Sequence, residues 1–225
     1  MLIDMIKGGI NITNIIMFVL SSLIVIFLTL PIHEWAHGFV AYKLGDPTAK
    51  YVGRLSLNPL KHIDYIGSLM IILFGFGWAK PVPVNPRYFK NPKRDMAITA
   101  FAGPFSNIVI AFISLIFHWI CLSFNSNIPV LNEIWLLFYF IAHINISLAV
   151  FNLLPIPPLD GSKILSIILP DSIYYKIMQY EQYSFIILAF LLYTGVLSTP
   201  LSYVSALLFN GLLQLSYLPF SLFGL

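Results

Sequence analysis

The chain has 225 residues, of which 59% are hydrophobic and only 9% are charged. A soluble domain carries about 25% charged residues, so this composition excludes a soluble fold and indicates a protein embedded in a membrane over most of its length. The formal net charge of +3 is too small to suggest a nucleic-acid partner. The single cysteine, Cys121, excludes an internal disulfide and is expected to be a packing residue.

The first apolar segment predicts a membrane-spanning helix from about Asn14 to Leu44. At 1.5 Å per residue this helix would be about 45 Å long, more than the roughly 30 Å of the hydrocarbon core, so its C-terminal third should leave the membrane. It lacks a small-residue cleavage site, which favours a retained span over a secretion signal. Pro31 has no amide proton for the carbonyl of Phe27, so a kink is expected near this point.

The next segment is predicted to form loops, including one element that dips into the membrane. Residues 66–78 are apolar, too short to span a bilayer and interrupted by three glycines, which favours a re-entrant segment. Residues 79–95 contain four prolines and should be extended, as an edge rather than a central strand. Residues 46–65 are polar, and four of them favour short strands: Thr48, Tyr51, Val52 and Leu55.

Two further spans are predicted, at about Met96 to Leu122 and Asn132 to Leu154. The prolines of the segment LPIPPLDG, residues 154–161, then break the helix. Residues 163–182 form an amphipathic connection. Two more apolar runs, at 183–197 and 201–224, predict a hairpin around Ser198-Thr199-Pro200.

The predicted fold is therefore an all-α polytopic membrane protein. It should have about five transmembrane helices and a re-entrant or β-like loop on the cytoplasmic side. We expect residues 1–225 to form one membrane-embedded domain, with a catalytic core at about 14–165 and a C-terminal helical hairpin at about 183–224.

The placement of the basic residues predicts the orientation in the membrane. Eleven of the twelve Lys and Arg residues lie within 43–94 or follow the third span, and only Lys7 lies elsewhere. Because three spans alternate sides, these eleven fall on one side, which the positive-inside rule makes cytoplasmic. We therefore expect a multi-pass plasma-membrane protein with its N-terminus outside. The C-terminal ends of the first and third helices should meet near the cytoplasmic face.

A candidate metal site lies in the segment HEWAH at residues 33–37. His33 and His37 are four residues apart, about 40° around a helix, so both imidazoles share one face. Glu34 is about 100° from His33, where a carboxylate can take a proton from a water at the metal. Ionisable groups within a membrane are costly and are usually functional, which favours a site over polar packing.

A catalytic zinc usually has three protein ligands. Asp160 is the preferred third ligand, because it follows the proline-broken end of the third helix on the same predicted side as the histidines. His143 should lie roughly 15 Å too deep, and we interpret it, with Asn145, as an interhelical hydrogen-bonding pair. His118, at the outer end of the second helix, and His62, in a polar loop, are not expected to be ligands.

The chain resembles the site-2 protease family of intramembrane zinc metalloproteases. It is similar to the compact bacterial type, because its length leaves no room for an inserted PDZ or an appended CBS domain. The matching segments, in the family's order, are HEWAHG at 33–38, GWAKPVPVNP at 77–86, FAGPFSN at 101–107 and NLLPIPPLDG at 152–161.

The resemblance implies that the two histidines and Asp160 bind one zinc ion per chain and that Glu34 is the general base. It also implies that Asn152 orients the substrate or stabilises an oxyanion. Asn107, in the third matching segment, is a further candidate substrate contact. So are Pro81 and Pro83, in a stretch that would clamp an unwound strand by strand addition. The implied substrate is a transmembrane segment of another protein, which must unwind locally in the bilayer before cleavage.

Three alternatives stay open at this stage. The first is an inactive homologue that binds transmembrane helices without cutting them, against which the intact Glu34 argues. The second is a metal transporter, which would give Glu34 and the segment 101–107 no role. The third is a zinc hydrolase acting on a lipid or a prenylated peptide. The sequence leaves the individual substrate, the trigger and the oligomeric state open.

Overall fold

The computed structural model describes residue 2 and residues 11–123, 131–179 and 181–222, and the regular elements in these ranges are all helices. The α-helices are α1 (Ile12–Ile24), α2 (Leu30–Lys43), α3 (Thr48–Tyr51), α4 (Tyr65–Phe74), α5 (Pro92–Ser123), α6 (Leu131–Asn152), α7 (Asp160–Ile168), α8 (Asp171–Gln179), α9 (Glu181–Tyr193) and α10 (Ser198–Leu222). A π-helical turn at Val25–Thr29 joins α1 to α2, and short 3-10 helices lie at Pro59–Lys61 and Pro86–Tyr88. The predicted all-α class is confirmed.

Four helical segments of the described chain are long and apolar enough to cross a membrane. They are Ile12–Lys43, Pro92–Ser123, Glu133–Asn152 and Ser198–Ser221. The fifth span expected from the sequence is not confirmed, because α9 has 13 residues and is about 20 Å long, less than the hydrocarbon core. The turn between the last two helices lies at 194–197, and residues 198–200 already belong to α10.

The irregularity expected near Pro31 is a π-helical turn. The amide of Leu30 donates to the carbonyl of Val25, five residues earlier, and Pro31 follows at the start of α2. A wider turn accommodates a proline that has no amide proton, so the helix continues through it without ending.

The helix α6 lies at the centre of the bundle. It packs against α1, where Phe140 meets Phe18 edge to face at 5.6 Å between ring centroids. On another side it packs with Ala111 and Leu115 of α5 and with Phe209 of α10 in one buried apolar cluster. This arrangement brings the C-terminal ends of α2 and α6 to the same end of the bundle, as span counting predicted.

The prediction of short strands within 46–65 was wrong. The buried carboxylate of Asp46 accepts hydrogen bonds from the amide of Thr48, at 2.9 Å, and from its hydroxyl. Satisfying the amide of Thr48 in this way starts the short helix α3, where strand propensity alone would have extended the chain. The β-like loop is likewise absent from the described residues.

Residues 79–86, called here the proline strap, form no strand: residues 79–85 have no regular secondary structure, and Pro86 begins a 3-10 helix. Side chains and loops anchor the strap. The amide of Lys80 donates to the carbonyl of His62 at 2.8 Å, and the amide of Asn85 donates to Asp46 at 2.6 Å. The strap therefore lies against the loop of residues 46–62, and its Val82 contacts Glu34 and lies beside Gly38 of α2.

The glycines of the apolar segment 66–78 allow close packing of the chain on itself. This segment forms the short helix α4, which Gly75 ends with φ of +80°. A Cβ on Gly67 would lie 2.0 Å from the carbonyl oxygen of Trp78, and one on Gly77 would lie 2.1 Å from the carbonyl oxygen of Gly67. Residues 75–78 therefore fold back directly on α4.

Candidate metal centre

The structure brings His33, His37 and Asp160 together in one buried group that could hold a metal ion. The two histidines lie on one face of α2, and Asp160 is the first residue of α7. The Nε2 atoms of the histidines are 3.1 Å apart. Oδ2 of Asp160 lies 3.4 Å from Nε2 of His33 and 3.2 Å from Nε2 of His37. All three residues are buried, so a charge among them must be paired.

The chemistry of these donors fits a shared cation. Nδ1 of His37 lies 2.7 Å from the carbonyl oxygen of Thr99, which can only accept, so Nδ1 carries a proton and Nε2 is the ring nitrogen that can bind a metal. Two ligands of a tetrahedral zinc with bonds of about 2.0–2.1 Å would be about 3.3 Å apart. The observed separations of 3.1, 3.2 and 3.4 Å match this value.

His33 differs from His37 in its outer contacts. Among the described residues, its buried Nδ1 has no hydrogen-bond partner. A metal-ligating histidine usually donates its second ring proton to a carbonyl or carboxylate, as His37 does. The orientation of the His33 ring therefore depends on its packing against the His37 ring, whose centroid is 4.7 Å away in an edge-to-face arrangement.

Asp160 is held as a carboxylate at the start of its helix. Burial by itself raises the pKa of the Asp160 carboxyl, but His37 and His33 outweigh burial and hold the pKa well below its usual range. Oδ1 also lies 3.5 Å from Nζ of Lys163, one turn along α7. The helix N-terminus favours a negative charge at this position. A Cβ on Gly161 would lie 2.2 Å from the carbonyl oxygen of Leu153, so this glycine allows the close return of α7 to the end of α6.

Glu34 lies beside the donor group, and a backbone amide holds it. Its side chain is buried, and Oε2 accepts a hydrogen bond of 2.8 Å from the amide of Val82 in the proline strap. The side chain of Val82 packs where Gly38 leaves room, since a Cβ on Gly38 would lie 3.2 Å from Cγ1 of Val82. The close neighbours that Gly38 admits are therefore the strap and α3 rather than a spanning helix.

Gly103 of α5 forms a wall of the site. A Cβ on this residue would lie 2.3 Å from Nε2 of His37 and 2.6 Å from Nε2 of His33. These are the atoms that face one another across the donor group, so a methyl group here would occupy the space of a bound ion. The glycine keeps that space open, which is independent support for a metal site.

We expect Gly103→Ala to lose bound zinc. Its methyl group has no room beside the two imidazoles, although alanine favours helices over glycine by about 1 kcal/mol. Zinc content after purification, measured by elemental analysis, checks this expectation. Gly211→Ala is the matched control, because an added Cβ on that helical glycine would meet no other part of the described chain within 4 Å beyond its own helix backbone. Full zinc occupancy in Gly103→Ala would contradict the proposed location of the ion.

The other candidate substrate contacts lie in different surroundings. Asn152 ends α6, and its Nδ2 donates to the carbonyl of Leu148 at 2.9 Å. Asn107 is fully buried one turn along α5 from Gly103, and neither atom of its amide has a hydrogen-bond partner within the described part of the chain. Pro81 and Pro83 are exposed on the proline strap.

The remaining histidines do not join the donor group. His143 contacts Phe209, and the proposed hydrogen-bonding pair with Asn145 was wrong, because Nδ2 of Asn145 donates to Ile141 in its own helix at 2.8 Å. This donation back to the preceding turn gives Nδ2 a partner within its own helix, and the buried Oδ1 has no hydrogen-bond partner among the described residues. His118 lies 3.0 Å from the carbonyl oxygen of Trp135 through Nδ1.

His62 also lies outside the donor group, but it is more buried than its polar loop suggested. It is 0% exposed, and its Nε2 lies 2.7 Å from the carbonyl oxygen of Ser56. Burial lowers the pKa of the His62 imidazole. Cys121 is buried, as expected of a packing residue.

Four neighbours of the site were missed by sequence reasoning. Thr99 and Val82 contribute backbone groups, and every residue has these, so no residue type signals them. Gly103 could have been found as an isolated glycine in an apolar helical pattern, which usually has a packing or functional reason. Lys163 stands three residues after Asp160, a spacing that pairs side chains on a helix.

Comparison with known proteins identifies the family. The chain is 40% identical over 179 residues to "Putative zinc metalloprotease YwhC" of Bacillus subtilis, an alignment that covers 76% of this chain and 79% of that protein. The chain belongs to peptidase family M50, the site-2 protease family. Residues 122–195 also match the sequence profile described as peptidase family M50. The family predicted from the sequence is therefore confirmed.

Two further relatives also carry the name of zinc metalloproteases. "Putative zinc metalloprotease Rip2" of Mycolicibacterium smegmatis is 31% identical over 179 residues, covering 76% of this chain and 66% of that protein. "Putative zinc metalloprotease MJ0611" of Methanocaldococcus jannaschii is 31% identical over 156 residues, covering 68% of this chain and 72% of that protein. No solved structure matches this chain. These names and the buried donor group agree with zinc as the cofactor of an integral membrane metalloprotease.

Proposed function

We propose that this M50 protein is an intramembrane zinc endopeptidase that hydrolyses peptide bonds within or near transmembrane segments of other proteins. The observation that carries the proposal is the pairing of a metal-binding group with a carboxylate in an apolar bundle. Glu34 is the next residue to the ligand His33 and is buried beside it. A non-catalytic binding protein or a metal pathway would give this second carboxylate no role.

The geometry supports the following residue roles. His33, His37 and Asp160 hold the zinc, which when bound supplies Lewis acidity that acidifies water and polarises a peptide carbonyl. The amide of Val82 fixes Oε2 of Glu34, and we assign Oε1 to the proton transfer. Glu34 takes a proton from the attacking water and then passes it to the leaving amine.

Asn152 and Asn107 are the proposed polar contacts to the substrate backbone. An asparagine amide has two N–H donors, and the contact with Leu148 uses one of those on Asn152, so the second could stabilise an oxyanion. Asn107 is a buried amide without a protein partner, which costs free energy unless a ligand satisfies it.

The proline strap is the proposed clamp for the unwound substrate. Its amides at Lys80 and Val82 point inward to His62 and Glu34, and Pro81 and Pro83 have no amide proton. Arg54 already donates to the carbonyl groups of Lys80 and Pro81. Pairing with a substrate strand would therefore rely on the other strap carbonyl groups as acceptors and on apolar contact with the exposed proline rings. The strap would therefore offer a substrate fewer backbone hydrogen bonds than full strand addition does.

The placement in the membrane is part of the proposal. The site would lie toward the cytoplasm, with the N-terminus outside, α4 as a re-entrant helix and α9 with α10 as a hairpin that includes the fifth span. The whole chain would form one domain. A single cysteine at Lys61, in a Cys121→Ser background, should react with a membrane-impermeant reagent only from the cytoplasmic side.

The test of the activity is a substrate panel with purified protein. We expect cleavage of detergent-solubilised transmembrane peptides within or near their apolar segments, loss of cleavage after chelation and recovery after addition of zinc. Cleavage of soluble peptides only would contradict intramembrane action. Hydrolysis of lipids or prenylated peptides alone would indicate a different zinc hydrolase, and zinc flux into vesicles without cleavage would indicate a transporter.

A further inference from the structure

The general base depends on one peptide group of the proline strap. Val82 donates its amide proton to Oε2 of Glu34 at 2.8 Å. That N–H belongs to the same peptide plane as the carbonyl of Pro81. Because a peptide group is planar, whatever holds the Pro81 oxygen also sets the direction of the Val82 N–H.

Arg54 holds that oxygen. Its Nη2 atom lies 3.2 Å from the carbonyl oxygen of Pro81 and 2.7 Å from the carbonyl oxygen of Lys80. The carbonyl oxygen of this peptide group accepts from a guanidinium, and its N–H donates to a carboxylate. Both hydrogen bonds follow the direction of the peptide dipole, so each strengthens the other. Arg54 and Glu34 therefore lie at opposite ends of one polarised peptide.

The backbone around Arg54 is held in a defined turn that directs this residue toward the strap. The amide of Arg54 donates to the carbonyl of Ala49 at 2.8 Å, which fixes the turn after α3. Gly53 precedes it with φ of +66°, a conformation that glycine adopts without strain. The loop therefore presents a half-buried Arg54 to the strap from a defined turn.

The strap has other anchors, but they lie on either side of the critical peptide. The Lys80 amide donates to His62, and the Asn85 amide donates to Asp46 at 2.6 Å. These contacts hold the ends of the strap against the loop. The only side chain that the described structure places on the Pro81–Val82 peptide oxygen is Arg54.

We propose that Arg54 is a positioning residue for catalysis, which orients the Pro81–Val82 peptide so that its N–H holds Glu34 in place. It acts through the strap and touches neither the ligands nor the reacting atoms. The inference rests on the proposed role of Glu34 as general base. Loss of Arg54 should lower kcat with little effect on KM or on zinc content, because the ligands and the outer face of the strap stay unchanged.

The test compares Arg54→Met with Arg54→Lys in the full-length protein. We expect Arg54→Met to lower kcat by roughly 10- to 100-fold, the loss that about 1 Å of misplacement causes. Arg54→Lys should recover most of this loss, because a single nitrogen of Arg54 makes both contacts and an ammonium can replace it. Arg87→Met is the matched control, since Arg87 is exposed at the far end of the strap region.

Hydrogen exchange supplies a readout that does not depend on activity. The Val82 amide should exchange faster in Arg54→Met than in wild type or Arg87→Met, at equal zinc content. Unchanged exchange in Arg54→Met, an unchanged kcat, a raised KM with unchanged kcat, or a Lys variant as weak as the Met variant would each overturn the proposal. If the wild type cleaves no peptide, the proposed function fails, and the exchange comparison still decides whether Arg54 orders the strap.

Discussion

Glu34→Gln should lower kcat by about 10³-fold, within the range that general acid–base catalysis contributes, while the protein keeps its zinc. The amide oxygen of glutamine can still accept the Val82 hydrogen bond, so the strap should remain in place. Glutamine cannot take a proton from the attacking water, so the chemical step fails. Cleavage kinetics on a transmembrane peptide and elemental analysis of zinc, measured on the same preparation, check both parts.

Glu133→Gln is the matched control for this variant. Glu133 lies in the first turn of α6, at the end opposite to Asn152, so its neutralisation should leave kcat unchanged. If Glu34→Gln cleaved as fast as the wild type, Glu34 would not be the base. If Glu34→Gln lost both zinc and activity, the carboxylate would have a structural role in the metal group.

The metal group could be predicted from the sequence because its geometry follows from regular helices. A spacing of four residues fixes His33 and His37 on one face of any helix. Asp160 required a topological argument, namely that the first and third spans end on the same side. That argument holds because each apolar span is just long enough to cross the bilayer once. Successive spans therefore end on alternate sides, and the first and third end on the same side.

The parts that could not be predicted depend on backbone groups and on loops. The contacts from the Thr99 carbonyl and the Val82 amide carry no side-chain signature. The loop of residues 46–62 was predicted to form strands because its residues have strand propensity. The buried Asp46 instead starts a helix there and anchors the strap, a tertiary effect that overrides local propensity.

The span count of five is not confirmed, for a related reason. Length and hydropathy identify the long spans, but the apolar run at 183–197 forms a helix of 13 residues followed by a turn. Gly195 lies in that turn with φ of +76°. A glycine inside an apolar run is tolerated in membrane helices, so its position alone could not show that the helix ends before it.

Asp160→Ala should lose its zinc, whereas His143→Ala should keep a full complement. Removing Oδ2 takes away one of three donors that lie 3.1–3.4 Å apart and leaves two imidazoles on a single helix face. Loss of a ligand should cost more than the roughly 10- to 100-fold in affinity that an outer-shell partner contributes. His143 contacts Phe209 and lies outside the donor group, so its removal should affect packing only.

Metal content and affinity, measured by elemental analysis and by competition with a chromogenic chelator, distinguish the two variants. Asp160→Asn refines the test, because an amide keeps the shape of the side chain but lacks the charge that pairs with Lys163 and the imidazoles. It should bind zinc more weakly than the wild type and more tightly than Asp160→Ala. If His143→Ala lost the metal and Asp160→Ala kept it, the ion would lie deeper among the spans. The contact of Asp160 in α7 with the histidines of α2 would then not be a metal site.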